Sequence, residues 1–155
     1  GIDEVHNEMV RFFKAARPNV IVSHHPAYGI HDYASPLGET GSLALRNYCA
    51  KYPVLLCLTG HLHDQWGLVE EDGTVFLNPS HFGEVIQPDG RVAEGGYFYE
   101  IEIDSEVAEV RHRKLAGGAV RDLVVHVRKS GGWEQKVLDR DRYGALLRGK
   151  NYEAE

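Results

Sequence analysis

Two histidines one residue apart, His61 and His63, follow Gly60 at the end of the apolar run "VLLCL". Imidazole is the commonest neutral metal ligand, and two of them spaced this way can enter one site where the backbone leaves a strand and turns. Gly60 is placed to permit that turn, because a residue without Cβ also lets the backbone come close to an ion. A third imidazole, His24, stands in "VSHHPAYG" at the end of an earlier apolar run. A His-x-His pair by itself is more often a polar loop than a site. Together with a His-x-Pro after a second buried run, it points to metal-assisted chemistry with His24, His61 and His63 as ligands.

The elements that must carry these residues follow from periodicity. Val5, Met9, Phe12, Phe13 and Ala16 recur at helical spacing, and Pro18 marks the end of that helix. "NVIVS" is β-branched and unbroken, which predicts a strand covered on both faces. Residues 28–41 read as a long loop. Ser42 can cap a helix whose inward face is Leu45, Tyr48, Cys49 and Tyr52, closed by Pro53. "VLLCL" is the next strand, so both histidine loops leave the ends of strands and are expected to face one pocket. Asp72-Gly73 predicts a tight hairpin turn between "GLVEE" and "TVFLN". "GYFYEIEID" and "VAEVRHRKL" alternate like paired antiparallel strands, and a further hairpin is expected through Gly131-Gly132. The charged end, from Asp139, supports a short helix and a loose tail.

Composition narrows the function classes. The 155 residues are 43% hydrophobic and 26% charged, the balance of an ordinary globular domain. No apolar run approaches the roughly 20 residues needed to span a bilayer, and no signal-peptide pattern is visible, so a cytoplasmic setting and no membrane partner are expected. A net charge of -6 argues against a broad nucleic-acid surface, while leaving room for a metal-filled pocket that accepts phosphate. Cys49 and Cys57 sit in apolar patterns and read as buried thiols.

The motifs resemble those of the calcineurin-like metallophosphoesterases. "VSHHPAYG" is similar to that family's late His-x-Pro motif and "LTGHLHDQWG" to its final Gly-His-x-His. "GTVFLNPSHFG" is similar to the strand and Asn-Pro turn that follow, and "GYFYEIEID" to the closing strand. The resemblance implies that His24 and His61 bind the second metal of a dinuclear centre and that His63 binds the first. His25 takes the variable place in His-x-Pro, as a phosphate contact or a support for the ligands. Two divalent ions, manganese, iron or zinc, would activate a water, clamp phosphate oxygens and stabilise the leaving ester oxygen. The expected substrate is a phosphate-ester small molecule, mono- or diester.

The family's early motifs, Asp-x-His, Gly-Asp-x-x-Asp and Gly-Asn-His followed by an acid, do not occur in these residues. The resemblance places them before Gly1, with the bridging carboxylate and the leaving-group acid. The chain is thus expected to be the C-terminal part of the layered α/β metallophosphoesterase sandwich: residues 1–104 as the half-domain with flanking helices, residues 105–155 as an antiparallel β-hairpin extension and charged tail. Its expected partner is the N-terminal half of the same domain or a second copy of the chain, and an uncovered sheet face would expose an apolar patch. The alternatives are a non-catalytic, metal-binding or regulatory relative, and a domain held by a structural zinc ion.

Other residues carry weaker signals. His31 and Asp32 either line a substrate entrance or are solvated loop residues; Asn78 is expected to shape the Asn-Pro turn; His81 is a candidate to reach the pocket. Trp66 either covers the core or edges the site. His6, His112 and His126 read as structural, and "RHRK", from Arg111 to Lys114, as a solvated strand face.

Overall fold

The computed structural model describes the backbone of residues 2–154 and the side chains of residues 6–147. Two compact units result, Gly1–Asn78 and Pro79–Glu155. The boundary falls at the Asn-Pro step, inside the segment whose motifs resemble the family and ahead of Asp104. No helix among the described residues is long and apolar enough to cross a membrane.

In the first unit, α1 (Ile2–Ala16) leads to β1 (Val20–Val22), the short pair β2 (Tyr33–Ala34) and β3 (Gly38–Glu39), α2 (Leu43–Lys51), β4 (Leu56–Leu58), β5 (Gly67–Glu71) and β6 (Thr74–Asn78). The sheet order is β1-β4-β6-β5. β1 and β4 run parallel, as do β4 and β6, while β5 returns antiparallel to β6. Parallel neighbours need a crossover, and α2 supplies it between β1 and β4. The core joins Ile21, Leu45, Tyr48, Cys49, Cys57 and Phe76, with Met9, Val10 and Phe13 packed against it. Both cysteines are buried and free, as expected.

Several elements form for the reasons the sequence supplies. Ser42 caps α2, its Oγ accepting from the Leu45 N–H at 3.1 Å. Ser42→Ala should cost the first unit about 1 kcal/mol. Urea unfolding followed by Trp66 emission checks this, and an unchanged midpoint would contradict the cap's role. The β5–β6 hairpin turns at Asp72 and Gly73, with φ of 50° and 79°, the two positive angles of a type I′ turn.

Other expectations are corrected. Ile21 is buried, yet Val20 is 41% and Val22 77% exposed. β1 is an edge strand, and the helices cover only the face that Ile21 presents, so alternate residues stand uncovered. On α1, Phe12 is 67% exposed. It lies about 100° around the helix from Phe13, off the stripe formed by Met9, Val10 and Phe13; Ala16 is also exposed, and the Val5 side chain lies outside the described residues. Residues 28–41 are not a plain loop but contain the β2–β3 hairpin.

The second unit holds β7 (Val85–Ile86) and β8 (Val92–Ala93), then β9 (Tyr97–Ile103), β10 (Val107–Ala116), β11 (Ala119–Lys129), β12 (Gly132–Val137) and α3 (Arg140–Ala154). The last four strands form an antiparallel sheet in the order β12-β11-β10-β9. Gly117 and Gly118, with φ of 58° and 77°, turn β10 into β11. Lys129 pairs with Gly132, so the next turn is Ser130-Gly131 rather than Gly131-Gly132.

The basic run is not a solvated face. His112 is 1% and Lys114 6% exposed, because the strand's alternation turns those two inward. Arg111 and Arg113 face the other way and pair with Glu109, Asp122 and Glu100. The charged end is helical from Arg140 to Ala154. Asp139 caps it by accepting from the Arg142 N–H at 3.0 Å and from the Arg142 guanidinium at 2.8 Å. Side chains of the tail from residue 148 onward lie outside the described residues.

Candidate functional site

β1 and β4 are adjacent and parallel, so the chain leaves both at the same end of the sheet. His24 follows β1 and His61 follows β4, and this shared end brings their rings together. His24 Nε2 lies 3.2 Å from His61 Nδ1, with ring centroids 5.1 Å apart and nearly edge-on. Two nitrogens sharing one tetrahedral ion at bond lengths of 2.0–2.1 Å stand about 3.3 Å apart. The observed separation fits a single cation held between these two imidazoles, and equally a hydrogen bond between them.

His25 turns its ring toward the same place, 5.5 Å from the His61 ring. Its Nε2 donates to the Thr40 carbonyl at 2.8 Å, which fixes the tautomer and leaves Nδ1 as the acceptor nitrogen. His6, read from sequence as structural, brings its ring within 6.3 Å of His25. No sequence spacing couples a residue on α1 to the loop after β1, so only the packing of the helix shows this proximity.

Electrostatics favour the ligating form of His61. Partial desolvation, then the charges of His24, His25 and His63, hold its imidazole below the ordinary histidine value. It is therefore neutral near pH 7, with a nitrogen lone pair free for a Lewis acid. His63 lies on the same loop, exposed. Among the described residues, no three His, Cys, Asp or Glu side chains come together as a metal-holding group. The structure thus brings His24 and His61 together, with His63 on the same loop.

The turn into the site is made differently from the expectation. Gly60 is not in the positive-φ region, and a Cβ there would meet His24 Nδ1 at 3.8 Å, an ordinary contact. The positive angle falls on His61 itself, with φ of 69°. The Leu62 N–H donates to the Gly60 carbonyl at 2.8 Å, closing a γ-turn centred on His61, the rare and strained form of that turn.

Two residues organise the loops from beneath. Asp32, 2% exposed, is neither a solvated residue nor an entrance lining. Its Oδ2 accepts from the Gly29 and Gly41 N–H groups at 2.9 and 2.8 Å, and its carbonyl accepts from the Thr40 N–H and hydroxyl. It therefore positions the Thr40 carbonyl that orients His25. Asn78 is fully buried and donates from Nδ2 to the carbonyls of Leu62 at 2.9 Å, Gln65 at 2.8 Å and Gly60 at 3.4 Å. Its side chain thus shapes the histidine loop.

The remaining candidates separate. The His31 ring lies against the start of β5, its Nε2 3.8 Å from where a Cβ on Gly67 would stand. Trp66 is 7% exposed and buried in the unit. His81 belongs to the second unit, where its Nδ1 is 3.0 Å from Ser80 Oγ and its ring meets Tyr97 edge-on.

No family model and no curated protein matches this sequence. Among solved structures, a single-mutant Vps29 from Entamoeba histolytica is similar over 70% of this chain and 53% of that one, with 21% identity and a TM-score of 0.36. The chain spans about half the length of that protein.

Proposed function

We propose that this chain forms the histidine-bearing part of a metal-dependent phosphoesterase site, His24 and His61 holding one divalent ion and His63 serving a second. The observation that supports it best is the 3.2 Å approach of His24 Nε2 and His61 Nδ1 at the ends of two adjacent parallel strands. When bound, manganese, iron or zinc would polarise a phosphoryl oxygen and supply the nucleophile. The chain's own residues hold the ligands: Thr40 orients His25, and the neutral state of His61 readies it for a cation. His25, ring to ring with His61 and held by the Thr40 carbonyl, supports the His61 ring in this proposal. The bridging carboxylate and the leaving-group acid come, in this proposal, from an N-terminal half-domain or a second copy of the chain. The substrate class is a phosphate ester.

Elemental analysis after zinc or manganese loading and desalting tests the ligand assignment. One ion per chain in the wild type, lost in His24→Ala and in His61→Ala, is the expected result. Retention of the ion in both variants would place it elsewhere and remove the proposal.

The lack of a three-ligand group among the described residues favours a second reading, a non-catalytic relative with a single weakly held or structural ion. Melting with and without chelator separates the two. A structural ion makes the first unit unfold on chelation, whereas a site built on a preformed sheet loses its ion and keeps its fold.

A further inference from the structure

We propose that Asn78 is the positioning residue of the histidine loop, its side-chain amide holding the strained turn at His61 in the conformation that meets His24. The inference deepens the proposal for that site, and its main test is independent of any metal. β6 lies between β4 and β5 in the sheet, and Asn78 is its last residue. The connection from β4 to β5, residues 59–66, therefore passes over the end of β6, where Asn78 stands fully buried.

Three carbonyls of that connection converge on Nδ2. Leu62 and Gln65 accept at 2.9 and 2.8 Å, and Gly60 at a longer 3.4 Å. An amide has two N–H protons, so this is a pair of full hydrogen bonds with the third acceptor sharing. The convergence also fixes the amide's orientation, because the flipped form would set an oxygen against three carbonyl oxygens. Gly60 and Leu62 flank His61, which carries φ of 69° and is spanned by the Leu62 N–H to Gly60 carbonyl bond. A non-glycine residue persists in such a conformation only where its surroundings over-determine it. Asn78 holds the carbonyls of the two residues that flank His61 and, through Gln65, the far end of the loop. Neither a hydroxyl nor a carboxylate offers two N–H donors in this place.

The test is NMR on the isotope-labelled full chain, with Asn78→Leu as the near-isosteric variant lacking donors and Thr74→Val as control. Thr74 lies at the other end of β6 and donates to the Val54 carbonyl at 2.8 Å, so its loss weakens the same strand without touching the loop. In the wild type, the Asn78 side-chain N–H protons should exchange slowly, and His61 should show the strong amide-to-α cross-peak of a positive φ. Asn78→Leu should lose that cross-peak, and Thr74→Val should keep it. Zinc titration should then show affinity about 10–100-fold weaker in Asn78→Leu and near wild type in Thr74→Val.

Fast exchange of the Asn78 amide in the wild type overturns the proposal, and that measurement decides even where Asn78→Leu does not fold. An unchanged His61 cross-peak in folded Asn78→Leu also overturns it. If the wild type binds no zinc, the metal assignment of His24 and His61 fails, while Asn78 is judged by exchange and cross-peak alone.

Discussion

Asp32→Ala should destabilise the first unit by about 3 kcal/mol, since it removes two charge-assisted hydrogen bonds of the kind that contribute roughly 1.5–3 kcal/mol each. The carboxylate is 2% exposed and accepts from Gly29 and Gly41 across the β2–β3 segment, so its loss leaves two donors facing a small cavity. Asp32→Asn keeps an oxygen that can accept from both and should cost about 1 kcal/mol, the charge contribution alone. Urea unfolding in a Trp133→Phe background, where Trp66 is the remaining indole and lies in the first unit, gives both values. Equal losses in the two variants would mean that the hydrogen bonds to Oδ2 are not what the unit depends on. Asp32→Ala should also loosen His25, because the Gly41 N–H that Asp32 Oδ2 holds belongs to the same peptide as the Thr40 carbonyl, which accepts from the His25 ring.

Acidification should weaken the second unit through His112. That imidazole is 1% exposed on β10, donates from Nε2 to the Pro79 carbonyl at 2.9 Å and contacts the Tyr99 ring. Burial is the main cause that lowers it to about 4, with His126 adding to the effect and the hydrogen bond to Pro79 opposing it. In the unfolded chain the same group takes a proton near 6.5, so between pH 6.5 and 4 the unfolded state binds more protons. Stability is then fully present above about pH 6.5 and is lost as pH falls toward 4, by about 3 kcal/mol in total at 1.36 kcal/mol per unit. His126 is lowered by burial as well and adds loss of the same sign.

His112→Gln keeps an N–H donor for Pro79 and removes the titration. Its stability relative to wild type should improve as pH falls, by about 3 kcal/mol between pH 7 and 4. Urea midpoints followed by Trp133 in a Trp66→Phe background measure the difference. A parallel pair of pH profiles would show that His112 is not held neutral by the fold.

Local chemistry made much of the chain legible from sequence. Ser42 as a cap, the Asp72-Gly73 turn and the strands on either side of it depend on residues close in sequence, where propensity and hydrogen bonding act without tertiary help. The pairing of His24 with His61 was legible for a related reason. Each follows a short apolar strand with a helix between the two, and that order places both strand ends together in a parallel sheet.

What escaped the sequence is non-local. The inward turn of His112 and Lys114, the exposure of Val20 and Val22, and the approach of His6 to His25 depend on which face of an element meets a neighbour, and an alternating pattern does not state this. The sequence predicts the turn into the site at Gly60, because a residue without Cβ permits it at least cost. The structure puts it one residue later, where distant Asn78 can hold it. By itself, then, the sequence determined the order of elements and the two imidazoles at adjacent strand ends. Only the tertiary structure decided which buried groups hold the loops around them, Asp32 at the peptide that orients His25 and Asn78 at the residues flanking His61. The physical reason is that a buried donor or acceptor must find its partner wherever the fold brings one, at any separation along the chain.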